Sequence, residues 1–144
     1  LGGNIPKTPN LATIEIPLEL TIISWNINGL CENGPNTAEK LNTLRNTIGK
    51  WSPNFILLQE THRRPNLAEV LRAEIPKYIW ITMTRRRGYR GVAIGIKHDK
   101  RTVMPVEPAE YDDQGRWMIQ PITFRKEKVI LVSIYKPDKA PRNF

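Results

Sequence analysis

Three polar side chains stand at the ends of apolar runs: Asn26, Glu60 and Tyr135. In an α/β sheet such strand ends converge on one rim, where ligands commonly bind. Glu60 directly follows Phe55-Ile56-Leu57-Leu58-Gln59. A carboxylate there either faces solvent in a surface salt bridge or binds something. A hard cation such as Mg²⁺ takes oxygen ligands and usually needs only one or two protein carboxylates, with water and phosphate oxygens filling the rest. Asn26 can donate or accept a hydrogen bond at the same rim, orienting a phosphate or a carboxylate. Its context, Asn26-Ile27-Asn28-Gly29, equally suits a turn asparagine. Tyr135 can hydrogen-bond a phosphate oxygen, or it can end an amphipathic strand with its hydroxyl in water.

The remaining reactive residue types carry less. His62 follows Glu60 by two residues without a partner pattern, and His98 lies in the polar turn Lys97-His98-Asp99-Lys100. Asp112-Asp113 precedes Gln114-Gly115 and reads as a turn, not as a metal pair. Cys31 is the single cysteine. It has no base beside it, and alone it makes neither an internal disulfide nor a cysteine-based zinc site. A reducing, intracellular compartment is the expectation.

The elements that must position these residues are legible as a β, α, β, α, β series. Glu19 to Asn26 reads as a buried strand, followed by a Gly/Asn-rich loop to Pro35. Asn36 with Glu39 three residues on suggests a helix N-terminus with a capping box. Leu41, Leu44, Ile48 and Trp51 then share one helical face, and Pro53 ends the helix. Phe55 to Gln59 reads as a buried strand. Leu67 to Glu74 reads as a short helix stopped by Pro76, and Tyr78 to Met83 as a strand. Gly91 to Lys97 alternates, with Val92, Ile94 and Ile96 on one face. Arg116 to Phe124 and Lys128 to Tyr135 form a hairpin across Arg125-Lys126-Glu127. In its last strand, Ile130, Val132 and Ile134 face one way and Val129, Leu131, Ser133 and Tyr135 the other. Residues 1–18, with Pro6, Pro9 and Pro17, read as a leader or linker. The series defines a mixed α/β layered domain.

Charge is concentrated. The net charge of the 144 residues is +8. The segment from Arg63 to Arg101 holds eleven Lys/Arg against three acids, so it carries all of that charge and the rest sums to zero. Such a patch either attracts polyanions or is a solvated basic surface. Arg85, Arg86, Arg87 and Arg90 are the candidate contacts to a nucleic-acid backbone. No apolar run is long enough to span a bilayer, and the first residues lack the pattern of a secretory signal. The absence of an initiator Met suggests a chain cut from something longer.

Taken together, the motifs resemble a known family. Ile22-Ile23-Ser24-Trp25-Asn26-Ile27-Asn28-Gly29-Leu30 looks like the first-strand motif of apurinic/apyrimidinic endonucleases, exonuclease III and retrotransposon endonucleases. Ile56-Leu57-Leu58-Gln59-Glu60-Thr61-His62 is similar to their metal-binding motif, and its Gln-Glu-Thr-His ending resembles the LINE-type branch. Arg87-Gly88-Tyr89-Arg90-Gly91-Val92-Ala93-Ile94 resembles the segment before the next core strand. Asp113-Gln114-Gly115-Arg116-Trp117 with Leu131-Val132-Ser133-Ile134-Tyr135-Lys136-Pro137 resembles the strand pair that carries the active-site tyrosine. The ordered set, over residues 20 to 137, is identified as part of the endonuclease/exonuclease/phosphatase superfamily.

The resemblance implies a fold and a chemistry. The fold is the N-terminal half of a four-layer α/β sandwich, two packed β-sheets flanked by helices, with residues 19–144 as the partial domain. The chemistry is Mg²⁺-dependent hydrolysis of DNA phosphodiester bonds, with Mn²⁺ as a substitute, as in retrotransposon target-site nicking. Glu60 would ligate the metal, Asn26 would hydrogen-bond within the catalytic cluster, and Tyr135 would contact the scissile phosphate. Lys136 stands where the family commonly has Ala. The family's Gly-Asp-Phe-Asn and Ser-Asp-His motifs do not occur in this sequence. As one domain the fold would need roughly 200–250 residues. The stretch is therefore expected to be inactive alone, with DNA and the remainder of a larger polyprotein or a second half-domain as its partners. A nuclear location is expected if it acts on DNA. Two other readings stand beside this one. The first is a non-catalytic, retroelement-derived nucleic-acid-binding or interaction module. The second is a phosphatase or phosphodiesterase of the same superfamily.

Overall fold

The computed structural model describes residues 19–62, 64–83, 90–100, 102–103 and 108–136. Residues 1–18, and with them the leader or linker reading, lie outside the described residues, as do Arg85, Arg86 and Arg87.

Apolar alternation builds two sheets. The first contains β1 (Ile22–Asn26), β2 (Phe55–Gln59), β3 (Tyr78–Met83) and β4 (Val92–Lys97), in the order β1-β2-β4-β3. β1 runs parallel to β2, and β4 runs antiparallel to both β2 and β3. The second contains β5 (Thr102–Val103), β6 (Glu110–Tyr111), β7 (Trp117–Phe124) and β8 (Glu127–Ile134). β8 pairs with β7 along its full length, while β5 and β6 pair with the two ends of β7. Two helices, α1 (Thr37–Trp51) and α2 (Leu67–Glu74), complete the described structure.

The period of two in each strand divides the interior into two layers. Ile56, Leu58, Tyr78, Trp80 and Ala93 face the helices and pack with Leu41, Leu44, Leu67 and Leu71. Phe55, Val92, Ile94 and Ile96 face the second sheet and meet Met118, Ile122, Phe124 and Leu131. Each of these large side chains contributes about 1.5–3 kcal/mol by leaving water. β4 is central and buried on both faces, and Gly95 is dictated by the closeness of Trp80. A Cβ at Gly95 would lie 2.8 Å from the indole ring. Tyr78 is buried with its hydroxyl donating to the Pro53 carbonyl at 2.5 Å, and burial pushes its phenol up to about 12.

Several expectations change. Glu19 to Asn26 is not a buried strand. β1 begins at Ile22 and, among the described residues, pairs only with β2, so it stands at the edge of the described sheet with Ile22 48% exposed. The capping box at Asn36 does not form. Asn36 is left-handed at φ 63, whereas a capping side chain needs an extended backbone, and it makes no side-chain cap bond. Trp51 shares the predicted helical face yet is 58% exposed at the last position of α1. Lys50 Nζ lies 5.3 Å from the centre of its ring. The hairpin turn is Arg125-Lys126, one residue shorter than predicted, with both residues at positive φ (50 and 67). The two-residue strands β5 and β6 carry too little pattern to be read from sequence.

Helices cover the outer face of the first sheet. Among the described residues none covers the outer face of the second, where Ile130, Val132 and Ile134 are exposed. No helix of the described residues is long and apolar enough to cross a membrane.

Candidate active site

Parallel pairing of β1 with β2 puts Asn26 directly opposite Gln59, one residue before Glu60. The loops that follow remain joined. Ile27, Gly29 and Leu30 donate their N–H groups to the carbonyls of Gln59, Glu60 and Thr61 at 3.0, 2.7 and 2.9 Å. Asn26 Oδ1 accepts the Asn28 N–H at 3.2 Å, which makes the turn that its sequence context suggested. Its amide NH₂ is the end left to address a ligand, and the residue is exposed.

Glu60 sits at φ 53 and His62 at φ 64, both in the left-handed region that costs a non-glycine residue about 1–3 kcal/mol. The surrounding hydrogen bonds hold this conformation. Thr61 N–H donates to Gly91 O at 3.1 Å, and Gly91 N–H donates in turn to Gly115 O at 3.1 Å. Next along the chain, Arg116 O accepts the Tyr135 N–H at 2.7 Å. A backbone relay thus connects the Glu60 loop to the end of β8, where Tyr135 is half-buried. The structure brings the chain positions Asn26, Glu60 and Tyr135 to one end of the two sheets.

Below the rim lies a polar layer in which Gln59 and Ser133 are buried and Ser24 is exposed. Gln59 Nε2 donates to Ser24 Oγ at 3.2 Å, to Leu57 O at 3.2 Å and to Ser133 Oγ at 3.1 Å. Ser133 Oγ donates to Leu58 O at 3.2 Å. Sequence reasoning missed Gln59, Ser24 and Ser133 as site residues. The available signal was an amide and one hydroxyl, Gln59 and Ser133, on faces that otherwise bury hydrocarbon, while Ser24 stands on the exposed face of β1 with Ile22 and Asn26.

His62, set aside in the sequence, lies against the same loops. Its ring leaves no room for a side chain at Gly29, where a Cβ would come 2.5 Å from Nδ1. Burial holds its pKa below the usual histidine value and nearby Lys40 acts the same way, while Glu60 opposes them. Lys40 Nζ donates to Asn28 O at 2.6 Å and Gly29 O at 3.2 Å, which anchors the loop to α1. A depression of about 320 Å³ between His62, Cys31 and Pro35 adjoins the site.

Asp112 forms the turn that the sequence predicted, accepting Arg116 Nε at 2.5 Å and Nη2 at 3.1 Å. The Arg116 guanidinium, above all through these hydrogen bonds, holds the Asp112 carboxyl below its ordinary value. His98 is exposed, in a connection held by its N–H to Lys77 O at 2.8 Å. Among the described residues no three or more His, Cys, Asp or Glu side chains cluster as a ready-made metal site. The rim instead offers one partly exposed carboxylate, Glu60, beside an asparagine whose amide oxygen is already engaged. That donor set fits a hard cation that keeps most of its waters, such as Mg²⁺.

Two packed sheets with helices on one outer face, and strand ends gathered at one rim, define a layered α/β domain. Residues 23–142 match the Endonuclease/Exonuclease/phosphatase family, and the chain belongs to it. The family is generally dependent on a divalent metal. The fold is similar to that of a humanized D. rerio TDP2, with a TM-score of 0.63 and 22% identity over 86% of this chain and 52% of that one. D. rerio TDP2 complexed with single strand DNA product gives a TM-score of 0.60 and 24% identity, over 78% of this chain and 44% of that one. The AP endonuclease LMAP from Leishmania major gives 0.60 and 20%, over 81% of this chain and 40% of that one. The chain spans about half or less of the length of these structures.

Proposed function

We propose that this chain supplies one half of the active site of a divalent-metal-dependent phosphodiester hydrolase that acts on DNA. The observation that carries the reading is the convergence of Asn26, Glu60 and Tyr135 on one rim, above strands held together by Gln59. In this reading Glu60 ligates the cation, with Mg²⁺ as the ion and Mn²⁺ as a substitute. Such a cation, when bound there, would supply positive charge against the developing charge of the phosphate oxygens. The Asn26 NH₂ orients a phosphate oxygen or a carboxylate. The Tyr135 hydroxyl donates to the phosphate and so fixes the scissile group against Glu60.

DNA is favoured as substrate by the charge of the segment from Arg63 to Arg101 and by the similar folds of TDP2, seen with a single strand DNA product, and of an AP endonuclease. The Gln59-Glu60-Thr61-His62 sequence supports target-site nicking of the LINE retrotransposon type, within a larger polyprotein and in the nucleus. A single rim carboxylate without a general base is too little for rapid hydrolysis, so we infer that this stretch does not cut DNA alone. The same concentrated charge favours a second reading, a non-catalytic nucleic-acid-binding module.

The test is plasmid nicking in Mg²⁺, with EDTA and Glu60→Ala controls, paired with a Mn²⁺ titration. Expected are Mn²⁺ binding that needs Glu60 and no nicking by the 144-residue chain. Mn²⁺ binding unchanged by Glu60→Ala would remove the metal role and leave the DNA-binding module. Nicking that needs both metal and Glu60 would uphold the hydrolase and overturn the inactivity.

A further inference from the structure

The residues beneath the rim are arranged with a regularity that the three candidate site residues do not explain. Ser24 lies two positions before Asn26 on β1, Gln59 one position before Glu60 on β2, and Ser133 two positions before Tyr135 at the end of β8. One amide group reaches both hydroxyls. Gln59 Nε2 stands 3.2 Å from Ser24 Oγ and 3.1 Å from Ser133 Oγ, and it also faces the Leu57 carbonyl at 3.2 Å.

The orientation of that amide is determined by its neighbours. Ser133 uses its only hydroxyl proton on Leu58 O at 3.2 Å, so toward Gln59 it can only accept. Leu57 O is likewise an acceptor. The NH₂ end of Gln59 must therefore point at them, and its two protons are shared among three acceptors. Gln59 and Ser133 are both buried, so a hydrogen bond lost there leaves a polar group away from water. The β2 and β8 partners belong to different sheets. Beside this polar layer stands the backbone bond from Gly91 N–H to Gly115 O at the heads of β4 and β7; the apolar contacts between those sheets are non-directional and let one sheet slide on the other. Hydrogen bonds are directional, and this set fixes the slide at the level of the rim.

We propose that Gln59 is the positioning residue of the rim: its side-chain amide ties β1, β2 and β8 together and so sets Asn26, Glu60 and Tyr135 relative to one another. It touches no substrate and acts through the strands. Its catalytic consequence rests on the hydrolase reading above, whereas the positioning itself does not. Productive geometry in an active site tolerates errors of only about 0.5 Å.

The experiment is backbone ¹⁵N relaxation on the full chain, wild type against Gln59→Leu, Ser133→Ala and Ser24→Ala. Ile122→Val is the control, a packing change in the same inter-sheet layer without a link to Gln59. In Gln59→Leu the order parameters at Asn26, Glu60 and Tyr135 are expected to fall from about 0.85 toward 0.6, while Ile79 and Ile81 on β3 stay rigid. Ser133→Ala should loosen Tyr135 alone, and Ser24→Ala should loosen Asn26 alone. A merely structural role would loosen the same amides in Ile122→Val. Gln59→Leu with no larger effect on the three amides than Ile122→Val overturns the proposal. If Gln59→Leu does not fold, the two hydroxyl variants decide. Loss confined to the strand that carries each one supports the tie, and uniform loosening or none refutes it. A parallel Mn²⁺ titration separates the two readings: wild-type protein that binds no Mn²⁺ defeats the hydrolase assignment and leaves the order parameters to judge the positioning.

Discussion

Gly91 and Thr61 approach so closely that a Cβ on the glycine would lie 2.4 Å from Thr61 Oγ1. Gly91 also sits at φ 137, where side chains are strained, and it accepts the Thr61 N–H. Only a glycine lets β4 begin beneath the Glu60 loop. Gly91→Ala is therefore expected to destabilise the chain by about 1–3 kcal/mol, from backbone strain alone. Gly49, in α1 with nothing within 4 Å of its would-be Cβ, is the opposite case. Gly49→Ala should stabilise by about 0.5–1 kcal/mol, the helix-propensity difference. Urea unfolding of the two variants beside wild type checks both signs.

The β7–β8 turn places Arg125 and Lys126 at positive φ, the conformation that two-residue hairpins prefer and that Asn-Gly usually supplies. Arg125 keeps a compensating contact over the Phe124 ring, 5.2 Å from its centre. Lys126 is exposed. Lys126→Gly should raise stability by about 1 kcal/mol by removing the left-handed penalty. An unchanged denaturation midpoint would refute the strain.

Asp112 gives a pH signature. Its folded pKa is depressed, chiefly by the hydrogen bonds from Arg116. The resulting stability is fully present above the unfolded carboxylate value, about 3.9, and is lost as pH falls through the lower folded value. The stability gap between wild type and Asp112→Asn, measured by thermal unfolding, should be constant near neutrality and should close only under acid. A gap that persists below the folded pKa would assign the effect to something other than this charge.

Charge in the central segment should govern binding to DNA. Alanine replacement of Arg85, Arg86 and Arg87 together, and of Arg90 separately, should weaken binding to any duplex sequence. Each lost phosphate contact should lower the slope of log K against log salt by about 0.9. Fluorescence anisotropy across a salt series reads this directly, and an unaltered slope would remove these arginines from the interface.

Much of this architecture was legible because local chemistry marks it. β2, α2 and β3 have the predicted bounds, Phe55–Gln59, Leu67–Glu74 and Tyr78–Met83. Runs of apolar residues, or helical spacing closed by Pro53 and Pro76, leave little freedom there. The turn at Asp112 to Gly115 followed from its residue types, as did the division of β8 into two faces, though only the structure showed that the face with Leu131 and Ser133 is the inward one. What failed were features decided by neighbours. Ile22 and Trp51 are as apolar as core residues, yet one lies on the outer strand of the described sheet and the other at the last position of α1, and both are exposed. Asn36 has the right type for a cap but the wrong backbone.

The candidate site divides in the same way. By itself the sequence determined which residues end the strands, that the basic charge is concentrated in one segment, and which family the motifs belong to, because those depend on residue type and short spacing. Only the tertiary structure decided that Gln59, 35 residues from Ser24 and 74 from Ser133, ties all three strands. It also decided that His62 packs on Gly29 and that Gly91 passes the Glu60 loop on to the Tyr135 strand. The physical reason is that a hydrogen bond needs its partners within about 3 Å in a fixed direction. Separation along the chain says nothing of either until the sheets have packed.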